Sequence, residues 1–337
     1  VRVLVTGATG FLGANVVRAL LARGHEVRCV IRAPNVCVEG LPVALARVSL
    51  SDVDALAGAM AGCDGVMHLA GTFDPSPGGE ATMRALHVAA TRALLDAAHR
   101  AGVPRFLLCS SSITVGFGPL DAPGDEESPL DADAIYGRTG PLRAYHDTKA
   151  EAERLVAEAG GVIVNPDFVL GPWDVKPTSG QLVCTMARGW VPVHPRGGKC
   201  FIDAGDCAVG HVAALEQGRP GRRYLLGNHN VSYAAFMGLV AEALGRRPPI
   251  APLPDSVIAA AGWAGRLLQR VDAHRFAGLD AALLRAMQQP RYRSGRRAQV
   301  ELGVPVTPLD TTIAETVRWF RAHGYPGFVG PEPSATG

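Results

Sequence analysis

Short apolar runs alternate with amphipathic stretches through the first half of the chain. Val3 to Val5, Glu26 to Ile31, Val43 to Val48, Gly65 to Leu69, Arg105 to Cys109 and Val162 to Val164 read as strands of a buried sheet. Between them, Phe11 to Arg23 carries Val16, Val17, Leu20 and Leu21 on one side and stops at Gly24, the pattern of a helix with a glycine cap. Glu80 to Ala101 reads as one long Ala-rich helix and Pro141 to Ala159 as a strongly periodic one. Strands alternating with helices at this period predict an α/β fold with a doubly wound parallel sheet. Beyond Gly171-Pro172 the alternation breaks down. Helices around Gly180 to Arg188, Tyr233 to Leu244, Ser256 to Arg270 and Thr311 to His323 mix with short strands near Cys200 and Tyr224. The expected organisation is a sheet domain over 1–172 and a smaller C-terminal α/β lobe over 173–325, some of whose segments return to the first domain. A Pro/Gly-rich flexible tail over 326–337 completes it. The acidic, Pro-containing stretch Asp121 to Asp133 reads as a surface loop, and no internal repeat is visible.

The junction of the first strand and helix is Thr6-Gly7-Ala8-Thr9-Gly10-Phe11-Leu12-Gly13. Three glycines spaced three apart have a physical reading. Gly7 permits the tight turn, Gly10 lets a pyrophosphate approach the backbone, and Gly13 lets the helix lie close to the strand. The free N–H groups of the helix N-terminus suit phosphates. The combination indicates a Rossmann dinucleotide corner, with Gly7, Thr9, Gly10, Phe11 and Leu12 as contacts. The residue after the second strand then bears on the choice of dinucleotide. A carboxylate there would bond the 2′-hydroxyl of NAD. This chain has Arg32, which suits a 2′-phosphate, so NADP is the expected cofactor, with NAD as the alternative and a solvent-facing arginine as the bland reading. Ser49 and Leu50 fall where an adenine would lie, and Leu69-Ala70-Gly71 would let the backbone run beside the cofactor.

Composition narrows the class. The chain has 337 residues, 47% hydrophobic and 19% charged, with a formal net charge of +2. That describes a globular protein with no electrostatic case for nucleic acid. The arginines cluster only from Arg291 to Arg297, which reads as a solvated face. Seven cysteines with no C-x-x-C pair suggest reduced thiols, a cytoplasmic location and no metal site. The chain opens on a strand, so no signal peptide is expected, and the apolar stretch Val257 to Ala264 is too short to span a bilayer.

Candidate chemistry lies on the helix after the acidic loop. Tyr145 and Lys149 are four residues apart in Tyr145-His146-Asp147-Thr148-Lys149, so they share a helical face. A free phenol has a pKa of about 10, and an ammonium beside it is expected to lower that value and make it a usable proton shuttle. Ser112, at the end of the fifth strand, is placed to hold the same substrate oxygen. Tyr-x-x-x-Lys alone is commonly a surface pair; the case rests on its combination with the glycine turn and the strand-end serines. His146, Asp147 and His194 are weaker candidates, and His211 reads as a core or capping residue.

These motifs, with Ser110 to Ser112, Asn165-Pro166 and Gly171-Pro172, resemble the extended short-chain dehydrogenase/reductase superfamily over nearly the whole chain. Val162 to Pro166, Gly171 to Thr178 and Arg222 to Gly227 are most similar to its dihydroflavonol-4-reductase-like branch, which includes proteins described as hopanoid-associated sugar epimerases. The resemblance implies a Rossmann domain, an NAD(P) cofactor, a catalytic set of Ser112, Tyr145 and Lys149, and cofactor contacts at Tyr145, Lys149, Asn165 and Pro166. It also implies a homodimer packed through the helices near 80–101 and 141–159. There are two departures. Where the family often has an Asn that supports the lysine through water, this chain has His87. The Asp-Glu pair used by sugar-nucleotide 4,6-dehydratases after the serine is missing, which disfavours dehydration.

The leading expectation is an enzyme: an NAD(P)-dependent oxidoreductase that reduces a ketone or aldehyde, or oxidises a secondary alcohol, with Tyr145 as proton donor or acceptor. The alternatives are a nucleotide-sugar epimerase that retains its cofactor, and a non-enzymatic dinucleotide sensor. The partner is a small-molecule carbonyl or alcohol. Val257 to Ala264, Trp263, Leu267 and Leu268 lean towards an apolar one.

Overall fold

The computed structural model describes residues 1–254, 256–258 and 285–328. Its strands are β1 (Arg2–Thr6), β2 (Glu26–Val30), β3 (Ala44–Ala46), β4 (Gly65–His68), β5 (Arg105–Cys109), β6 (Val162–Pro166), β7 (Phe168–Leu170), β8 (Val193–His194), β9 (Gly198–Asp203), β10 (Arg223–Leu226), β11 (His229–Ser232), β12 (Ala251–Pro252) and β13 (Pro290–Arg291). The helices are α1 (Phe11–Ala22), α2 (Val53–Met60), α3 (Gly79–Arg84), α4 (Ala90–Arg100), α5 (Ala132–Tyr136), α6 (Pro141–Glu158), α7 (Gln181–Arg188), α8 (Ala204–Gln217), α9 (Tyr233–Ala243), α10 (Arg296–Leu302) and α11 (Leu309–Ala322).

Seven strands form one parallel sheet in the order β10-β6-β5-β4-β1-β2-β3. The chain winds outward from β1 in both directions, so a crevice opens at the carboxyl ends of β1 and β4. Side-chain alternation along each strand feeds two cores. Val3 and Val5 pack with α1 and α8 through Val16, Val17, Leu20, Cys207 and Val212. Leu4, Val66, Leu108 and Ile163 face the other way, onto Leu56 and Met60 of α2, Leu94 of α4 and Val156 of α6. A second, small sheet runs β11-β9-β13, with β7 also paired to β9. It packs on α7, α9 and α11, where Phe201 and Phe236 stack at 4.3 Å.

The structure departs from expectation in several places. The helix anticipated over Glu80 to Ala101 is split by a π-helical turn at Ala85–Ala89, which inserts an extra residue and re-aims His87. The third strand shrinks to Ala44–Ala46, a sheet edge where Leu45 is 52% exposed. The strand near Tyr224 joins the main sheet beside β6. The acidic loop is not wholly at the surface: Glu126 is buried, accepts from Leu225 N at 2.8 Å and faces Arg297. The arginine cluster is not a solvated face either. Arg293 is 2% exposed because β13 inserts between β9 and the 116–124 loop, bridging Gly118 to Tyr292 and Gly124 to Arg293. At the chain end, Tyr325 Oη donates to Val175 O and Phe328 packs on Phe320. The helix expected over Ser256 to Arg270, with Trp263, Leu267 and Leu268, lies outside the described residues apart from 256–258. All seven cysteines are free and buried. No helix among the described residues is long and apolar enough to cross a membrane.

The approach of α1 to β1 depends on Gly13, where a Cβ would lie 2.0 Å from Gly7 O. Neither atom belongs to a flexible side chain, so the backbone itself must move. Gly13→Ala is expected to destabilise the fold by about 1–3 kcal/mol, as overpacking does, measured by chemical denaturation. A variant as stable as the parent would show that the helix can slide without cost.

Candidate active site

The glycine turn has the geometry that its sequence requires. Gly7 adopts φ +73°, and a Cβ there would strike Leu69 and Ala70 at 2.5–2.6 Å, so β1 and the chain leaving β4 touch backbone to backbone. Gly10 N–H donates to Gly7 O at 3.0 Å and starts α1, which has no acidic residue in its first turn. An uncapped helix N-terminus free of carboxylates, beside a bare Gly10, fits a dinucleotide pyrophosphate. Thr9, Phe11 and Leu12 belong to the same turn. Arg32 is exposed just past β2, and Ser49 hydrogen-bonds Ser51 on the far side of that strand end, next to the partly buried Leu50. These residues follow the carboxyl ends of β2 and β3, the paired outer strands of the same sheet.

The inner end of the crevice is built around α6. Tyr145 and Lys149 lie one turn apart on its inward face. Lys149 Nζ donates to Cys109 O at 3.1 Å and would meet any Cβ on Gly71 at 3.1 Å. Burial lowers the Lys149 pKa, offset by Glu153. Tyr145 packs edge-on against Phe73 and His87, each 5.6 Å away between ring centroids. Its phenol is pushed up to about 12 by burial, and the Ser111 hydroxyl draws it back down. Two expectations are corrected here. Burial dominates, so the phenol of the cofactor-free protein is not made more acidic, and the ammonium is engaged at Cys109 O. The serine facing it is Ser111, the extended residue that caps the 3₁₀ turn Ser112–Thr114, whereas Ser112 lies buried inside that turn.

His87 occupies the π-helical turn. Its Nε2 accepts from Thr72 N–H at 3.2 Å, so its Nδ1 carries the proton and donates to Thr148 Oγ1 at 2.9 Å. Burial, with Lys149 nearby, depresses its pKa to about 3, and His68, bonded to Thr6 Oγ1 at 2.7 Å, falls to about 3 for the same reasons.

Glu153 escaped the sequence reading, although it lies one further turn along the face of Tyr145 and Lys149. Its Oε1 accepts from Ser110 Oγ at 2.5 Å, Thr114 Oγ1 at 2.6 Å and Asn165 Nδ2 at 2.7 Å, and its Oε2 pairs with Arg223 at 3.0 Å. Asn165 also donates to Ser111 O at 3.1 Å, which links the Asn165-Pro166 segment to the serine turn. The lesser candidates lie elsewhere. His146 and Asp147 bond to each other, with Asp147 also held by Arg143. His194 Nδ1 bonds Pro195 O, and buried His211 bonds Cys207 O at 2.7 Å.

The profile of the NAD dependent epimerase/dehydratase family matches residues 3–227. The chain is 31% identical over 334 residues to a Synechocystis protein described as a candidate dihydroflavonol 4-reductase, covering 95% of both. It is 32% identical over 327 residues to the sterol demethylase protein B of Methylococcus capsulatus, covering 95% of this chain and 98% of that one. Among solved structures it resembles PA4631, a nucleoside-diphosphate-sugar epimerase from Pseudomonas aeruginosa, with a TM-score of 0.78 and 28% identity over 96% of this chain and 99% of that one.

The three histidines buried among the described residues, His68, His87 and His211, make stability depend on pH. His68 and His87 have pKa values near 3 and His211 near 4, all lowered chiefly by burial. In the unfolded chain each titrates near about 6.5. From pH 6.5 down to 4 the unfolded state therefore binds protons that the folded state refuses, and stability falls as pH falls. Denaturation midpoints measured from pH 7 to pH 5 are expected to decline, and His211→Gln should flatten the slope by up to about 1.4 kcal/mol per pH unit. An unchanged slope in that variant would refute the assignment for His211.

Proposed function

The chain belongs to the NAD dependent epimerase/dehydratase family, as an NAD(P)-dependent oxidoreductase of the extended short-chain dehydrogenase/reductase type, and we propose that it reduces a ketone or aldehyde with Tyr145 as the proton donor. The observation that carries this reading is the phenol held between the Ser111 hydroxyl and, one helical turn on, the buried Lys149. A bound nicotinamide supplies the hydride. Ser111 then holds the substrate oxygen, Tyr145 gives it a proton, and the Lys149 ammonium stabilises the phenolate left behind. A phenol near 12 is protonated at neutral pH, as a proton donor must be. Oxidation of the matching secondary alcohol is the same step reversed.

We assign Ser111, Tyr145 and Lys149 to catalysis, with Ser112 supporting the turn. The cofactor is held by Gly7, Thr9, Gly10, Phe11, Leu12, Ser49, Leu50, Leu69, Ala70, Gly71, Asn165 and Pro166. Arg32 favours NADP, since it stands exposed past β2 with no carboxylate at the position that would otherwise engage a ribose hydroxyl. The small second sheet serves the substrate, in the manner of a dihydroflavonol-4-reductase-like enzyme. A homodimer through the helical segments near 80–101 and 141–159 is expected, and light scattering that gave a monomer mass would remove it. Seven unpaired thiols fit a reducing compartment such as the cytoplasm.

Tyr145→Phe is expected to lower ketone reduction by about 10²–10⁴-fold while NADPH titrates as before. Ser111→Ala should cost more activity than Ser112→Ala; the reverse order would return the role to Ser112. Fluorescence titration should show NADPH binding more tightly than NADH, with the gap closing in Arg32→Ala. Cofactor that copurifies and does not exchange with added NADPH would favour an epimerase instead.

A further inference from the structure

A second group of charges lies just beyond the serine turn. Asp167 directly follows β6, and its side chain is fully buried. Arg293 pairs with it at 2.8 Å and also donates to Val115 O and Gly116 O. Lys199 Nζ stands 3.5 Å from the other oxygen of Asp167. Arg291 is the register partner of Lys199 across β13 and β9, so their side chains leave the small sheet on one face, and Arg293 shares that face two residues on. Three cations thus converge on one carboxylate.

Arg293 and Lys199 account for both oxygens of Asp167. Arg291 has no carboxylate within ion-pair distance among the described residues. Its guanidinium lies 5.0 Å from the Phe117 ring centroid and 5.5 Å from that of Tyr136, and its Nε is buried without a hydrogen-bond partner. Aromatic faces compensate a half-buried guanidinium only in part, and an unpaired buried N–H is costly. Burial accordingly lowers the Arg291 pKa and Arg293 acts in the same direction, while Tyr136, which also hydrogen-bonds the guanidinium, Tyr233 and the more distant Asp167 oppose it; the two phenols are kept neutral by their own burial.

Tyr136 joins this group to the catalytic residues. Its hydroxyl donates to Ile113 O at 3.0 Å, inside the turn capped by Ser111, and its ring lies 5.6 Å from that of His146, the neighbour of Tyr145. Arg291 therefore stands one aromatic ring away from the serine turn.

We propose that Arg291, assisted by Lys199, binds a carboxylate carried by the substrate, so that the enzyme acts on a carbonyl compound with an acidic group and an apolar or aromatic body lying against Phe117 and Tyr136. The planar guanidinium presents paired N–H donors that match a carboxylate. This assignment rests on the reductase reading for the reacting carbonyl, but the anion site is testable without turnover.

Calorimetric titration of the whole protein with 3-phenylpropionate and 3-phenylpropionamide compares ligands of nearly the same shape, one ending in a carboxylate and the other in a neutral amide. The acid is expected to bind at least about tenfold more tightly, the scale of a hydrogen-bonded charge pair. Arg291→Gln should bring the two within about twofold, Arg291→Lys should keep part of the preference, and Tyr145→Phe should keep all of it. Equal binding of acid and amide by the wild type, which needs no variant to fold, would overturn the proposal. So would a preference that survives both Arg291→Gln and Lys199→Gln, or phenyl phosphate binding more tightly than the acid. A retained acid preference in a protein that reduces no ketone would uphold the anion site and sink the reductase reading alone.

Discussion

The buried ammonium of Lys149 is the charge to which the rest of the candidate site is fitted. An isolated cation in a protein interior costs several kcal/mol unless its surroundings answer it. Here one carbonyl does so directly, that of Cys109 at the end of β5. Glu153 answers it from one helical turn away, and its effect on the Lys149 pKa opposes that of burial. The two imidazoles nearby, His68 and His87, stay neutral partly because the ammonium is there. Gly71 follows from the same charge, since any side chain would crowd Nζ. Glu153 then extends the constraint outward. By collecting Ser110, Thr114, Asn165 and Arg223 it joins β5, the serine turn, β6 and β10 around one carboxylate.

The π-helical turn is the backbone's contribution to this arrangement. A regular helix from Gly79 to Arg100 would have no extra residue with which to bring His87 onto Thr148. With it, Thr148 Oγ1 receives the Nδ1 proton and passes its own hydrogen to Ala144 O at 2.8 Å. Both ring nitrogens are committed, one to the chain after β4 and one to α6. In this arrangement His87 is a positioning residue that fixes the Thr72 backbone relative to Lys149, rather than a group with a spare site for a travelling proton.

How much could be read from the sequence follows from the range of each interaction. The glycine turn is local, because strand, turn and helix lie within about a dozen residues, although Gly7 also answers the approach of Leu69 and Ala70 from the end of β4. Tyr145 and Lys149 were legible for the same reason, since helical spacing alone places them together. The choice among Ser110, Ser111 and Ser112 was not legible. It depends on where an extended strand end passes into a 3₁₀ turn, and three consecutive hydroxyls carry no periodic signal. Arg291 and Arg293 were misread as solvated because their burial comes from pairing with β9 and with the 116–124 loop. Arg293 and Val115 are 178 residues apart. The second sheet is assembled from strands of two to six residues, too short for an alternating pattern to declare itself.

The end of β6 connects the two charged regions. Asn165 holds the serine turn through Ser111 O and Glu153, and two residues later Asp167 holds Arg293 and Lys199. Proline between them fixes one backbone dihedral and restricts the residue before it. Asp167 N–H is tied to Leu226 O at 2.9 Å, which anchors the same segment to the neighbouring strand. The serine turn and the cations of the small sheet are therefore referred to one short, doubly anchored piece of backbone. A shift of that segment would move Ser111 and Arg293 together, so the spacing between the serine turn and the cations of the small sheet is set by β6 rather than by the flexibility of either side chain.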